Sequence, residues 1–239
     1  GDAWQVNLVA GFDRYDQQWL SIDSGNELHV RRVGAENDTA LVGGISLPLY
    51  LRMERTGTDY TFKYKKFLAD PWTTVDVQSI NNSVAYVGVQ FRTFNSTGDA
   101  VFSMDYFRME SSNPPDVGPE KEIEVDDFDS LTLNGDWTWY VPKSGPTYSL
   151  ATVPGSFHMN LPALESFEHL GNVDDAPQLR RSDLGSGDWA IETQLVNIDA
   201  TNAGYWAVLE VGFDQFDQIW YGMVDDGNLK IYRVSEGEY

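Results

Sequence analysis

The 239 residues carry 16 Lys+Arg against 37 Asp+Glu, a net charge of −21, so nucleic acid and anionic membranes repel the chain. With 41% apolar and 13% aromatic residues it can build a real core, and at roughly 150 residues per domain it holds one large domain or two small ones. Cysteine is absent, which removes disulfides, thiolate catalysis and Cys-based zinc or iron–sulfur sites.

Taken in chain order, short runs rich in Tyr, Phe, Trp, Val and Thr alternate with turns such as Asp23-Ser24-Gly25-Asn26 and Asp225-Asp226-Gly227-Asn228. This is strand periodicity nearly throughout. The predicted strands are 47–55, 60–66, 85–92 and 100–109, then 189–197, 205–211, 218–224 and 229–234. Many short strands separated by turns predict an all-β, antiparallel two-sheet sandwich or jelly roll. Between the two groups, Ser111 to Pro119 holds three prolines in nine residues and reads as a linker, since proline cannot donate to a ladder. The predicted layout is 1–112, a Pro-rich and acidic linker 113–124, and 125–239. Charge divides at the same place: residues 1–112 carry 10 basic and 14 acidic side chains (net −4), and the rest carry 6 and 23 (net −17).

The most informative feature is an internal repeat. Gly11-Phe12-Asp13-Arg14-Tyr15-Asp16-Gln17-Gln18-Trp19 matches Gly212-Phe213-Asp214-Gln215-Phe216-Asp217-Gln218-Ile219-Trp220 at an offset of 201, and the match continues without a gap to Leu28/Leu229, Arg32/Arg233 and Val33/Val234. The residues C-terminal to the first copy have no counterpart after the second, and those N-terminal to the second have none before the first. Residues 1–112 therefore read as the C-terminal half of one sandwich and 125–239 as the N-terminal half of the next. The opening Gly1-Asp2-Ala3-Trp4 lacks a basic and then apolar leader, which reads as a mature or excised chain.

Residues 125–239 resemble the start of the concanavalin-A-like, laminin-G-like β-sandwich found as the C-terminal domain of family 43 β-xylosidases. Asp126-Asp127-Phe128, Trp137-Thr138-Trp139, Tyr148-Ser149-Leu150 with Pro154-Gly155, and Pro177-Gln178-Leu179-Arg180-Arg181 before the strand at Trp189 carry that resemblance. Residues 41–109 resemble the end of the same domain, through Pro48-Leu49-Tyr50-Leu51-Arg52-Met53-Glu54-Arg55, Tyr60-Thr61-Phe62-Lys63-Tyr64, Trp72-Thr73-Thr74-Val75, Val87-Gly88-Val89 and Phe102-Ser103-Met104-Asp105-Tyr106-Phe107. The resemblance implies a two-sheet jelly roll without catalytic carboxylates, hence an accessory, binding or structural role. Half a sandwich cannot stand alone in water, because its apolar face and strand edges need a cover. The cover can come from the same chain, as a circularly permuted monomer, from a tandem repeat or from a neighbouring molecule; because the two copies of the repeat would compete for the same strands in one monomer, the tandem or intermolecular versions are expected. Head-to-tail pairing of this kind builds a filament.

Chemistry-bearing residues are few. Glu120, Glu122, Glu124 and Asp126 alternate along one predicted strand face and resemble the acidic strand of laminarinase-type hydrolases, where paired carboxylates act. A solvated acidic edge that discourages aggregation is the expected role. His29, His158 and His169 lack ligand spacing, and neither G-x-S-x-G nor a phosphate loop occurs, so no catalytic residue is assigned. Asp13, Asp16, Asp126, Asp127, Asp129, Asp214 and Asp217 offer oxygens suited to Ca2+, but turn aspartates ordinarily bond their own backbone. No cofactor or metal is expected.

Aromatic side chains are the preferred functional surface, since an open indole stacks on a sugar ring. Trp72 after Pro71, and Trp137 and Trp139 beside Asn134 and Asp136, are the candidate carbohydrate-binding residues. Asn37, Asn81 and Asn95 begin N-x-S/T sequons in predicted loops and are the candidate glycosylation sites. The expected function is a non-catalytic extracellular or cell-surface β-sandwich repeat that self-associates head to tail in a filament or tandem adhesive array. The alternative is a carbohydrate-binding accessory domain of a polysaccharide-degrading hydrolase. Neither nucleic-acid binding nor membrane insertion is expected.

Overall fold

A computed structural model describes residues 8–13, 16–22, 28–33, 37–40, 46–79, 84–94, 98–112, 121–163, 165–167, 169–170, 173–182, 187–199, 204–212, 218–224 and 229–234. The described residues form strands and turns only. In order the strands are β1 (Leu8–Asp13), β2 (Asp16–Ile22), β3 (Leu28–Val33), β4 (Asn37–Ala40), β5 (Leu49–Thr56), β6 (Asp59–Lys65) and β7 (Thr73–Ser79). There follow β8 (Tyr86–Phe94), β9 (Ala100–Ser112), β10 (Lys121–Asp126), β11 (Thr138–Tyr140), β12 (Thr147–Ser149), β13 (Phe157–Leu161), β14 (His169–Leu170) and β15 (Val173–Asp174). The last are β16 (Gln178–Arg181), β17 (Trp189–Asp199), β18 (Gly204–Gly212), β19 (Gln218–Val224) and β20 (Leu229–Val234).

Two antiparallel sheets carry the core. One runs β12-β13-β9-β17-β5-β6-β7, with β10 also on β9; the other runs β11-β16-β8-β18-β19-β20. Period-two alternation sorts the side chains: on β5, Leu49, Leu51 and Met53 enter the core while Tyr50, Arg52 and Glu54 face out. Phe91 meets Phe102 at 5.4 Å between ring centroids. Tyr221 packs 6.0 Å from Phe62 and donates its hydroxyl to the Lys63 carbonyl at 2.5 Å, tying the two sheets together. Gly57, at φ +62°, turns β5 into β6 in a conformation that costs glycine nothing.

The two parts of the chain interleave. β17 lies between β5 and β9, and β8 lies between β16 and β18, so the sandwich closes within one chain rather than through the outside partner that competition between the repeats predicts. Strand β10 begins at Lys121, inside the stretch 113–124 read as linker, and pairs back on β9 through Asp126↔Phe107.

The competition is resolved by a separate sheet, β1-β2-β3-β4. Its first three strands reproduce the pairing register of β18-β19-β20. Leu8↔Leu20 and Gly11↔Gln17 correspond to Leu209↔Tyr221 and Gly212↔Gln218, and Gln17↔Val33 corresponds to Gln218↔Val234, all at the offset of 201. Two of the positions that differ explain why the second copy sits beside β8. Glu210 accepts a hydrogen bond from the Tyr86 hydroxyl at 2.9 Å, and Tyr221 bridges the sheets. The first copy offers Val9 and Leu20 there, with no acceptor and no hydroxyl.

Candidate functional site

The outward face of the larger sheet carries a charged mosaic built by strand register. Arg108, Glu192, Arg52 and Lys63 face one another across β9, β17, β5 and β6, so Glu192 stands between two arginines, while Glu54 bonds both members of the cationic pair Arg52 and Lys63. Arg52, only 8% exposed, bonds Glu54 at 2.7 Å, Glu110 at 3.0 Å and Glu192 at 2.9 Å. Arg108 reaches Glu110 at 2.8 Å and Lys63 bonds Glu54. Burial works against the Arg52 charge, but its bonds to Glu110 and Glu54 more than offset this and raise its pKa. Burial likewise pushes the Glu54 carboxyl up, yet the bonds from Lys63 and Arg52 prevail and hold it below the usual value. The Tyr106 hydroxyl donates to Glu192 at 2.5 Å, and burial, followed by that bond, raises the phenol well above its ordinary range.

Trp72 stands at the edge of this mosaic, where the turn after β6 enters β7. It is half-buried, with the Lys65 ammonium 4.4 Å and the Arg52 guanidinium 5.9 Å from its ring centroid. Each such cation contributes about 0.5–2 kcal/mol according to its desolvation. The carboxylates Glu54, Glu110 and Glu192 are all tied to Arg52, which holds the face together.

The other two tryptophans have different surroundings. Trp137 is 7% exposed, packs edge-on against Phe107 at 5.0 Å and lies 6.1 Å from Phe128. Its indole N–H donates to Asp126 Oδ2 at 2.6 Å and Arg181 lies 5.3 Å from its ring; these core contacts leave no open ring face for a sugar. Trp139 is half-buried against Tyr148 at 5.3 Å and Phe157 at 6.1 Å. The three candidates are therefore not brought together into one platform.

Among the carboxylates on β10, Glu124 accepts from Arg181 at 2.7 Å. Asp126 accepts from Trp137, from Asn134 Nδ2 at 3.2 Å, and from the backbone N–H of Phe128 at 2.9 Å. Only the backbone of Glu122 is described, in β10. Asp127 and Asp129 are exposed, Asp13 faces Asp16 at the end of β1 and β2, and Asp214 and Asp217 lie outside the described residues. No three His, Asp or Glu gather as metal ligands among the described residues. His158 on β13 meets Ser103 at 2.8 Å through Nδ1, and burial lowers its pKa. His29 and His169 lie in β3 and β14. Asn37 opens strand β4 rather than lying in the expected loop; Asn81 and Asn95 fall outside the described residues.

Sequence reasoning missed Arg52, Glu192, Glu110 and Tyr106. Their signal was the polar phase of strands whose apolar phase predicted the core, as in Tyr50-x-Arg52-x-Glu54. No family model matches the chain, and no curated protein matches it.

Proposed function

We propose that this chain is a non-catalytic, extracellular β-sandwich repeat that serves as the building block of a surface filament or tandem adhesive array. The duplicated meander carries the reading: β1–β3 and β18–β20 share sequence and every compared register position at the offset of 201. Repetition of one supersecondary unit in one chain is the mark of an array. The resemblance to a laminin-G-like jelly roll without catalytic carboxylates fits the same role, as does the tying of the outward carboxylates to Arg52.

The test is sedimentation velocity over a wide concentration range, with electron microscopy of the material at the top of it. Concentration-dependent, open-ended assemblies are expected; a chain that remains monomeric throughout loses the reading. A second reading, a carbohydrate-binding accessory domain, keeps support from Trp72, which combines partial exposure with polar neighbours. Titration with xylan, arabinan and β-glucan should then quench Trp fluorescence in the wild type and not in Trp72→Ala; an unchanged spectrum in both removes it.

A further inference from the structure

We infer that the turn between β6 and β7 of one copy docks into a hollow beside β10 of the next, joining copies head to tail along the larger sheet. This rests on the self-assembly reading above and names the contact that performs it.

The turn is an apolar knob. Phe67 and Leu68 are 67% and 68% exposed, adjacent, and held in place from below. The Asp70 N–H donates to the Phe67 carbonyl at 3.0 Å, the Phe67 N–H donates to Asp70 Oδ2 at 3.2 Å, and Lys65 Nζ donates to the Leu68 carbonyl at 3.2 Å. A rigid protruding aromatic loses little entropy on docking, which is what a binding anchor requires.

The hollow encloses about 220 Å³, with Phe128, Leu133 and Leu150 as apolar lining and Asp126, Asp127 and Asp129 as acidic lining. It is smaller than the roughly 300–1,000 Å³ of drug-sized ligand sites and suits a single large side chain. Leu131 and Val153, 75% and 48% exposed, extend the apolar surface of the same segments. Charge complements shape: Lys66 precedes the knob, and Asp127 and Asp129 stand exposed along the hollow.

Register sets the direction of assembly. Asp126↔Phe107, Phe107↔Thr193, Thr193↔Leu51, Leu51↔Tyr64 and Tyr64↔Thr73 form one row across β10, β9, β17, β5, β6 and β7. The hollow lies at one end of that row and the knob at the other, five strand spacings or about 24 Å apart. They cannot meet in one molecule, and displacement of a second copy along the row brings its knob level with the first copy's hollow. The contact is heterologous and does not close on itself, so it propagates.

Two full-length variants test it by sedimentation velocity: Phe67→Ser/Leu68→Ser, which spoils the knob, and Asp127→Lys/Asp129→Lys, which reverses the rim. All four side chains are exposed, and an unchanged thermal unfolding midpoint confirms folding; Leu68→Ser alone serves if the double variant is unstable. Each variant should associate at least about tenfold more weakly than wild type. Mixed together, they should form heterodimers and stop there, because one keeps its hollow and the other its knob. Wild-type assembly that both variants retain overturns this contact and leaves the self-assembly reading standing. A wild type that never associates overturns both.

Discussion

Replacing Arg52 with methionine is expected to destabilise the fold by about 3–5 kcal/mol, read as a lowered urea midpoint at pH 7. The side chain is the hub of Glu54, Glu110 and Glu192, and the side chains of Glu110 and Glu192 are only 11% and 8% exposed. Removing the guanidinium leaves carboxylates that have lost both water and counter-charge, and that cost exceeds what the intact cluster contributes. Combining Arg52→Met with Glu110→Gln and Glu192→Gln should therefore recover most of the loss. If the single variant is as stable as wild type, the cluster is a solvated surface network. Acid probes the same group. The folded Glu54 carboxyl titrates below its ordinary 4.5, so its stabilisation is complete above that value and disappears as pH falls through the lower folded one. The urea midpoint of wild type should drop across that acid range more steeply than that of Glu54→Gln.

Trp137→Ala is expected to cost about 3–5 kcal/mol, as truncations of large buried aromatics do. The ring fills space between Phe107 and Phe128, and its N–H satisfies Asp126. The loss comes from the cavity, with a further part from the unpaired carboxylate. Trp137→Phe should keep most of the packing and lose mainly the hydrogen bond, about 1–3 kcal/mol. Both are read from unfolding midpoints. A Trp137→Ala chain of unchanged stability with altered sugar binding would return this residue to the ligand surface.

The strongest strands are legible because both of their phases are written in the residues. Predicted 100–109, 189–197 and 218–224 correspond to β9, β17 and β19. Strand β7 is not, because Thr73-Thr74-Val75-Asp76-Val77-Gln78-Ser79 lies at a sheet edge, where burial demands little of the sequence. A nearby Asn and Asp suggest an exposed turn at Trp137 and Trp139. In the fold, Asp126 reaches across from β10 and draws the Trp137 indole inward. Nothing local to residue 137 encodes that, since the partner is eleven positions away.

By itself the sequence determined the all-β class, the duplication and its register, because side-chain alternation and repeated residues are local properties that each strand carries along its own length. Only the tertiary structure decided which copy of the meander completes the sandwich. That choice depends on Tyr86 meeting Glu210 and on Lys63 meeting Tyr221. The repeat alone cannot rank its two copies by these contacts, because one partner in each, Tyr86 on β8 and Lys63 on β6, lies outside the meander. The same holds for the outward face: its charges were countable in advance, but their pairing around Arg52 exists only once β5, β9 and β17 lie side by side.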